Sequence, residues 1–277
     1  MKKVVTIAGS DSTGGAGIQA DLKTFEEYGV FGFSSLTSIV TMDPSAGWQH
    51  EVTPIPAKLL EKQLCSVFAG APMDAMKTGM MGNEQNIAVA SSFIQEEKIK
   101  NVVIDPVIAC KGTAQILQPK SVAGIKRYLL PQAFIVTPNL IEAGILTELG
   151  DLTTVSDMKK AARILYSLGA RNVVIKGGRR LPESEEAIDL LYDGRNDYLL
   201  KGELFETDNN HGAGCTFSAA ITAGVAKGYN VYQAVNIAKE FVASAIKHGV
   251  TINPYVGHVW HGAYTHAEER MVQIDEK

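Results

Sequence analysis

No stretch of this 277-residue chain approaches the roughly 18 consecutive apolar residues of a membrane-spanning helix. Cysteine is scarce. The three present, at positions 65, 110 and 215, are widely spaced and form no CxxC pair. An odd, scattered set argues against a disulfide framework and fits reduced thiols in a cytoplasmic protein. Blocks of basic residues are missing too, and the net charge is −4. That speaks against a nucleic-acid binder but leaves room for a polyanion at one focused site. The amino-terminal MKKVVTIAGS has only a short apolar run before Gly9, so no secretory signal is expected. GxxxxGK(S/T) does not occur, which removes the P-loop. Linkers, low-complexity tracts and short repeats are also lacking, and one domain over residues 1–277 is expected.

What is present is an alternation of strands and helices. An apolar strand at 4–8 leads through a glycine turn into a helix reaching residue 28. A second strand is expected at 36–40, and the apolar residues 59, 60, 63, 64, 67 and 68 mark a helix over 57–68. A strand near 74–78 and a helix over 83–98 follow. NVVIDPV (101–107) and AFIVTPN (133–139) are buried strands that end at prolines. A helix at 155–168 precedes the strand NVVIKGG (172–178). AIDLLYDG and DYLLKGELFE form an antiparallel addition near an edge, and helices at about 214–227 and 231–248 close the chain. This order predicts an α/β fold: a mainly parallel sheet with helices on both faces and ligands at the strand C-termini.

Two glycine-rich stretches carry chemistry. In GSDSTGGAGIQADLKTF, Gly14, Gly15 and Gly17 let a backbone come close to a ligand. Residues 15–20 also fit GxGxxA, a weak signal for a dinucleotide site, and a tight turn with close helix packing explains the same glycines. In NNHGAGCTFSAAI, Gly212, Ala213 and Gly214 open a helix whose free N–H groups and dipole favour negative charge. Phosphoryl transfer needs such donors.

TIAGSDSTGGAGIQADLKTF, DPV, TPNLIEA, VVIKGG and HGAGCTFSAAI occur in the order found in hydroxymethylpyrimidine kinases. The chain resembles that family, and within it the pyridoxal kinase branch, to about residue 250. The resemblance implies the three-layer α/β/α ribokinase-like fold, and transfer of the ATP γ-phosphate to a hydroxymethyl group on a six-membered nitrogen heterocycle. It implies Mg²⁺ as cofactor, ATP as co-substrate, a B6 vitamer as substrate, and a homodimer.

Carried onto this chain, Gly212, Ala213 and Gly214 form the anion hole, and Cys215 is the base. Asn139 and Glu142 serve the Mg²⁺ and phosphate end, Glu142 through water. Lys176, with Gly177 and Gly178, contacts phosphate, and Asp105 belongs near that cluster. Gly9 and Asp21 contact the heterocycle, with Met80 and Val107 packing on it. A free thiolate is a stronger proton acceptor than a free carboxylate, and a helix N-terminus is expected to lower the Cys215 pKa. His211 is close in sequence and would assist if its ring points inward.

Two departures separate the chain from ordinary pyrimidine kinases. They have Ala-Gln-Asn where this chain reads TMDP (41–44). Met42 cannot hydrogen-bond an exocyclic amine, which favours a B6 ring. His50 in the same stretch is either a substrate contact or a surface imidazole. The second departure is DPVIACKGTAQIL, where Cys110 stands in a small-residue lid. Cys110 either adds reversibly to a pyridoxal aldehyde or is an unreactive loop thiol. Cys65 is expected to be structural. His258, His261 and His266 read as a solvated tail, and Lys239 and Lys247 as a solvated helix face. The competing readings are a hydroxymethylpyrimidine kinase, a catalytically silent B6-binding protein and a dinucleotide oxidoreductase.

Overall fold

The computed structural model describes residues 1–70, 72–108, 119–181 and 184–266. A nine-stranded sheet forms the frame. Its order is β3 (Gln49–Pro54), β2 (Phe31–Asp43), β1 (Lys3–Asp11), β4 (Ala75–Thr78), β5 (Val102–Ile104), β6 (Ile135–Val136), β7 (Val173–Lys176), β8 (Ala187–Tyr192) and β9 (Asp197–Gly202). From β2 to β7 every pairing is parallel. The edge strands β3, β8 and β9 pair antiparallel.

Side chains alternate across a strand, so each buried strand feeds two cores. Val5 and Ile7 of β1, with Val102 and Ile104 of β5, face α2 (Ala57–Phe68), α3 (Glu84–Glu96), α5 (Leu140–Thr147) and α6 (Val155–Ser167). A short helix, α4 (Pro119–Gly124), precedes α5 in the chain. Val4 and Val103 face the opposite layer, made of α1 (Gly17–Glu27), α7 (Ala213–Ala226) and α8 (Val231–Lys247). The three layers agree with the expected fold. Small residues make α7 a close-packed spacer: a Cβ on Gly224 would stand 3.1 Å from that of Ala234 on α8.

The sequence reading placed most of these elements but did not foresee α4 or α5, and it misjudged several edges. The strand expected at 36–40 runs from Phe31 to Asp43, because β3 folds back on its second half in a hairpin that was not foreseen. The strands expected at 101–107 and 133–139 shrink to Val102–Ile104 and Ile135–Val136. Pro106 and Pro138 lack the N–H that a ladder needs. A small second sheet also went unseen: β10 (Asn209–His211) pairs with β12 (Gly257–His258), which pairs with β11 (Val250–Thr251). Among the described residues, no helix is long and apolar enough to cross a membrane.

Candidate active site

A cavity opens at the C-terminal ends of the parallel strands. Its wall takes Gly9 and Asp11 from β1, Ala16 and Gly17 from the start of α1, and His50 from β3. Gly79 and Met80 follow β4, Asp105 and Val107 follow β5, and Asn139 and Glu142 open α5. Lys176 ends β7, and residues 210–215 lead into α7. Twelve residues assigned from the sequence therefore meet here: Gly9, His50, Met80, Asp105, Val107, Asn139, Glu142, Lys176, Gly212, Ala213, Gly214 and Cys215.

Of the helices that start at this cavity, α1 and α7 have no side-chain cap. The first N–H groups of α7 are left for a ligand, whereas at the start of α1 the Ala16 N–H is taken by Asp11 and the Gly17 N–H by Cys215. Gly212 is the N-cap of α7 and has φ +86°. Its lack of a side chain has a second cause, since a Cβ there would overlap the Gly15 carbonyl. Gly17 has φ +59°, and a Cβ there would overlap the Gly9 carbonyl. A Cβ on Gly15 would stand 2.6 Å from the His258 ring. The glycine turn is thus packed beneath its neighbours, and Gly15 is required by that packing rather than by a pyrophosphate.

Asp11 ties the two loops together and was not foreseen. Its Oδ1 accepts from the Thr13 N–H at 2.9 Å and the Thr13 hydroxyl at 2.8 Å. Its Oδ2 accepts from the Ala16 N–H at 2.9 Å and lies 2.8 Å from His211 Nε2. Burial works against its charge, but the bonds from His211 and Thr13 hold its carboxyl well below the usual range. His211 does point inward, and its ring centroid lies 5.8 Å from His50 and 5.1 Å from His258. The signal for Asp11 was its place just before a glycine turn, where an aspartate accepts from the backbone two residues on.

Part of the wall is a charge cluster. Lys176 Nζ lies 2.9 Å from Asp105 Oδ1, and the Ser218 hydroxyl donates to Asp105 Oδ2 at 3.0 Å. Asn139 and Glu142 form a capping box at the start of α5: the Glu142 N–H donates to Asn139 Oδ1 at 3.0 Å, and the Asn139 N–H donates to Glu142 Oε2 at 2.8 Å. Burial pushes the Glu142 carboxyl up to about 7, with Lys176 pulling it down and Asp105 adding to the rise.

Several expectations need correction. The helix N-terminus does not leave Cys215 with a lowered pKa. Burial outweighs it and pushes the thiol up to about 11, against the opposing pull of Lys77 and a hydrogen bond from the Gly17 N–H. Asp21 does not reach the cavity wall: it is fully buried and paired with Lys77 at 2.8 Å. Met42 does not line the cavity either, although it pairs with His50 across the hairpin and so shares that face. Gly177 and Gly178 stand off the wall, and the Gly177 N–H is spent on Asp189 Oδ1 at 3.0 Å. Cys65 is exposed on α2, not buried as a structural thiol. His258 and His261 are buried rather than solvated, because the β10–β12 pairing pulls that segment onto the site. Lys239 is not on a solvated face but pairs with Asp189 at 2.7 Å. Cys110 lies outside the described residues.

A family model described as phosphomethylpyrimidine kinase matches residues 11–260. The pyridoxine kinase of Bacillus subtilis is 49% identical over 263 residues, which cover 95% of this chain and 97% of that protein. A hydroxymethylpyrimidine/phosphomethylpyrimidine kinase of Haemophilus influenzae is 41% identical over 268 residues, covering 96% of this chain and 98% of that one. The pyridoxal kinase from Staphylococcus aureus, solved in complex with AMP-PCP and pyridoxal, superposes with a TM-score of 0.89 at 48% identity, covering 96% of this chain and 95% of that one. With a family model matched over residues 11–260 and relatives up to 49% identical over nearly the whole length, this chain belongs to the phosphomethylpyrimidine kinase family.

Proposed function

We propose that this protein is a pyridoxal kinase that transfers the γ-phosphoryl group of ATP to the 5′-hydroxymethyl group of pyridoxal, and also accepts pyridoxine and pyridoxamine. The observation that carries the reading is one cavity whose wall carries two chemistries, with Cys215 among its residues. Gly9, His50, Met80 and Val107 suit a flat ring. Asp105, Glu142, Lys176 and the start of α7 suit phosphates. The similarity to proteins named pyridoxine and pyridoxal kinase, greater than to the pyrimidine kinase, points the same way.

The chemistry follows from the geometry. Cys215, as thiolate, takes the proton of the hydroxymethyl O–H. The oxygen bonds to the γ-phosphorus, the bond to the β–γ bridging oxygen breaks, and its electron pair leaves with ADP. Negative charge on the transferring group meets the N–H groups of Gly214 and its neighbours at the α7 N-terminus and the ammonium of Lys176. Magnesium prefers hard oxygen donors and keeps several waters, binding through one or two protein groups plus phosphates. Glu142, acting through water, and Asn139 fit that role on the cavity wall. When bound, the ion would neutralise charge on the phosphates.

A hydroxymethylpyrimidine is the competing substrate, because the matching family is named for it. ADP release with Mg²⁺-ATP, run with each substrate at matched concentration, tests the choice. Turnover favouring pyridoxal is expected; turnover favouring the pyrimidine moves the protein to the second reading, and none with either removes both. A homodimer and a cytoplasmic location are part of the proposal. The dimer is supported by resemblance and checked by light scattering of the purified chain.

A further inference from the structure

Among the described residues, the reaction above leaves one fully buried charged pair unused. Lys77 on β4 and Asp21 on α1 are both 0% exposed. The ammonium lies 2.8 Å from Asp21 Oδ1 and 2.9 Å from Oδ2, and the Thr6 hydroxyl donates to Oδ2 at 2.6 Å. Stability gives no reason for such a pair, since apolar residues of similar volume in its place are often as stable or more so.

Its location does give a reason. The pair sits where α1, α7 and β4 pack together, the junction that also holds Cys215. Asp21 is one helical turn from Gly17, whose N–H donates to the Cys215 sulfur. Lys77 Nζ lies 3.4 Å from the place a Cβ on Gly79 would take, and Gly79 shares the cavity wall with Cys215. The charges that act on the thiol are Lys77 from β4, Asp21 from α1, Asp105 beyond β5 and Lys176 at the end of β7. Lys77 exerts the strongest pull toward the thiolate, and the carboxylates oppose it.

We propose that Lys77 is a positioning residue for phosphoryl transfer: a sealed ammonium, held by Asp21, that stabilises the Cys215 thiolate from inside the protein while the substrate approaches from the cavity. The inference rests on Cys215 as the proton acceptor. Lys176 cannot serve in the same way, because it opens on the cavity and its charge is shared with incoming phosphates. Water and ligands do not reach Lys77, so neither solvent nor substrate screens its field on the sulfur, which only buried carboxylates such as Asp21 oppose. The thiol first gives its proton to solvent. The thiolate then takes the hydroxymethyl proton as the phosphoryl group moves, so the charge consumed in that step is the one Lys77 faces.

The test replaces the pair as a unit, Lys77→Met with Asp21→Asn, so that no lone buried charge remains. Two quantities are read: steady-state kcat and KM, and the alkylation rate of Cys215 by iodoacetamide against pH, resolved by peptide mass. The expected result is a fall in kcat of about tenfold or more with both KM values within about threefold. The alkylation midpoint of Cys215 should move up by about one pH unit. An unmoved midpoint overturns the proposal, whether or not kcat falls. If the double variant does not fold, the wild-type chain decides. The Lys77 ¹³Cε resonance should follow the titration of Cys215 and should lose that step in Cys215→Ala; a resonance that ignores Cys215 overturns the proposal. Full turnover by Cys215→Ala would overturn the base assignment itself, a result on which the alkylation midpoint does not depend.

Discussion

Lys77 meets Asp21 at 2.8 Å and Lys176 meets Asp105 at 2.9 Å, yet the first pair is sealed on every side while the second leaves its lysine 17% exposed on the cavity. The bond is the same and the settings are opposite. A sealed ammonium has no other partner to turn to, so it acts as a fixed charge. An ammonium at a cavity wall can exchange its carboxylate for a phosphate when one arrives. Asp105 is prepared for that exchange, because Ser218 at 3.0 Å and Thr137 at 3.3 Å continue to donate to it. Among the described residues, Asp21 has the Thr6 hydroxyl alone in reserve.

The sharpest way to break this contrast is to remove each lysine alone. Lys77→Met strands a carboxylate in the interior and should cost about 3–5 kcal/mol of stability, read from a urea midpoint, with Asp21→Asn restoring most of it. Equal stability loss in Lys176→Met would show that the two pairs are equivalent. Lys176→Met should instead spare the fold and lower kcat/KM for ATP by about 100-fold. A residue outside both pairs supplies a control. Met42→Gln should shift the substrate preference toward hydroxymethylpyrimidine by about tenfold, measured as a ratio of kcat/KM values, with neither ion pair affected. No shift would leave the hairpin face of Met42 and His50 without a part in selectivity.

The smallest effect concerns pH. Burial raises the Glu142 carboxyl from 4.5 to about 7, so between those values the folded chain holds more proton than the unfolded one. Its contribution to stability should therefore fall as pH rises through that window, and Glu142→Gln should flatten the fall in a series of thermal melts. Lys77 should contribute nothing to this slope, whereas burial raises the Asp21 carboxyl above its ordinary value and gives it a contribution of the same sign as that of Glu142. Burial works against the charge on Lys77, but Asp21 holds it above the ordinary lysine range. A lysine of that kind stays protonated, and its contribution stays constant, throughout the window.

The sequence was most legible where chemistry and backbone share a motif. HGAGCTFSAAI announced a helix that starts on the cavity, because small residues before an apolar run mark a helix N-terminus, and Asn139 and Glu142 of TPNLIEA were placed on the same wall although their capping box was not foreseen. Lys77 was not legible. It lies in AMKTG, where apolar neighbours mark a buried strand but do not show which carboxylate comes to meet the lysine. Asp21 was assigned to the wrong wall for the same reason: it sits beside the glycine turn in sequence but on the inward face of α1. The Cys215 pKa was misjudged because a helix N-terminus can be read from sequence and desolvation cannot. His258 and His261 were misplaced because the pairing that buries them joins two segments distant in the chain.

The interlock of the two glycine loops also fixes when the site can exist. Gly15 lies beneath Gly212, and Asp11 finds His211 across 200 residues of chain. During synthesis the first loop leaves the ribosome with no partner, and it stays without one until most of the polypeptide has followed. Contacts that span so much sequence form late, after the loop-closure entropy has been met by the rest of the sheet. A chain cut short before α7 retains most of the strands and helices, yet it has no α7 and no Cys215. An incomplete copy therefore lacks part of the cavity wall, and the cavity is complete only once α7 has been made.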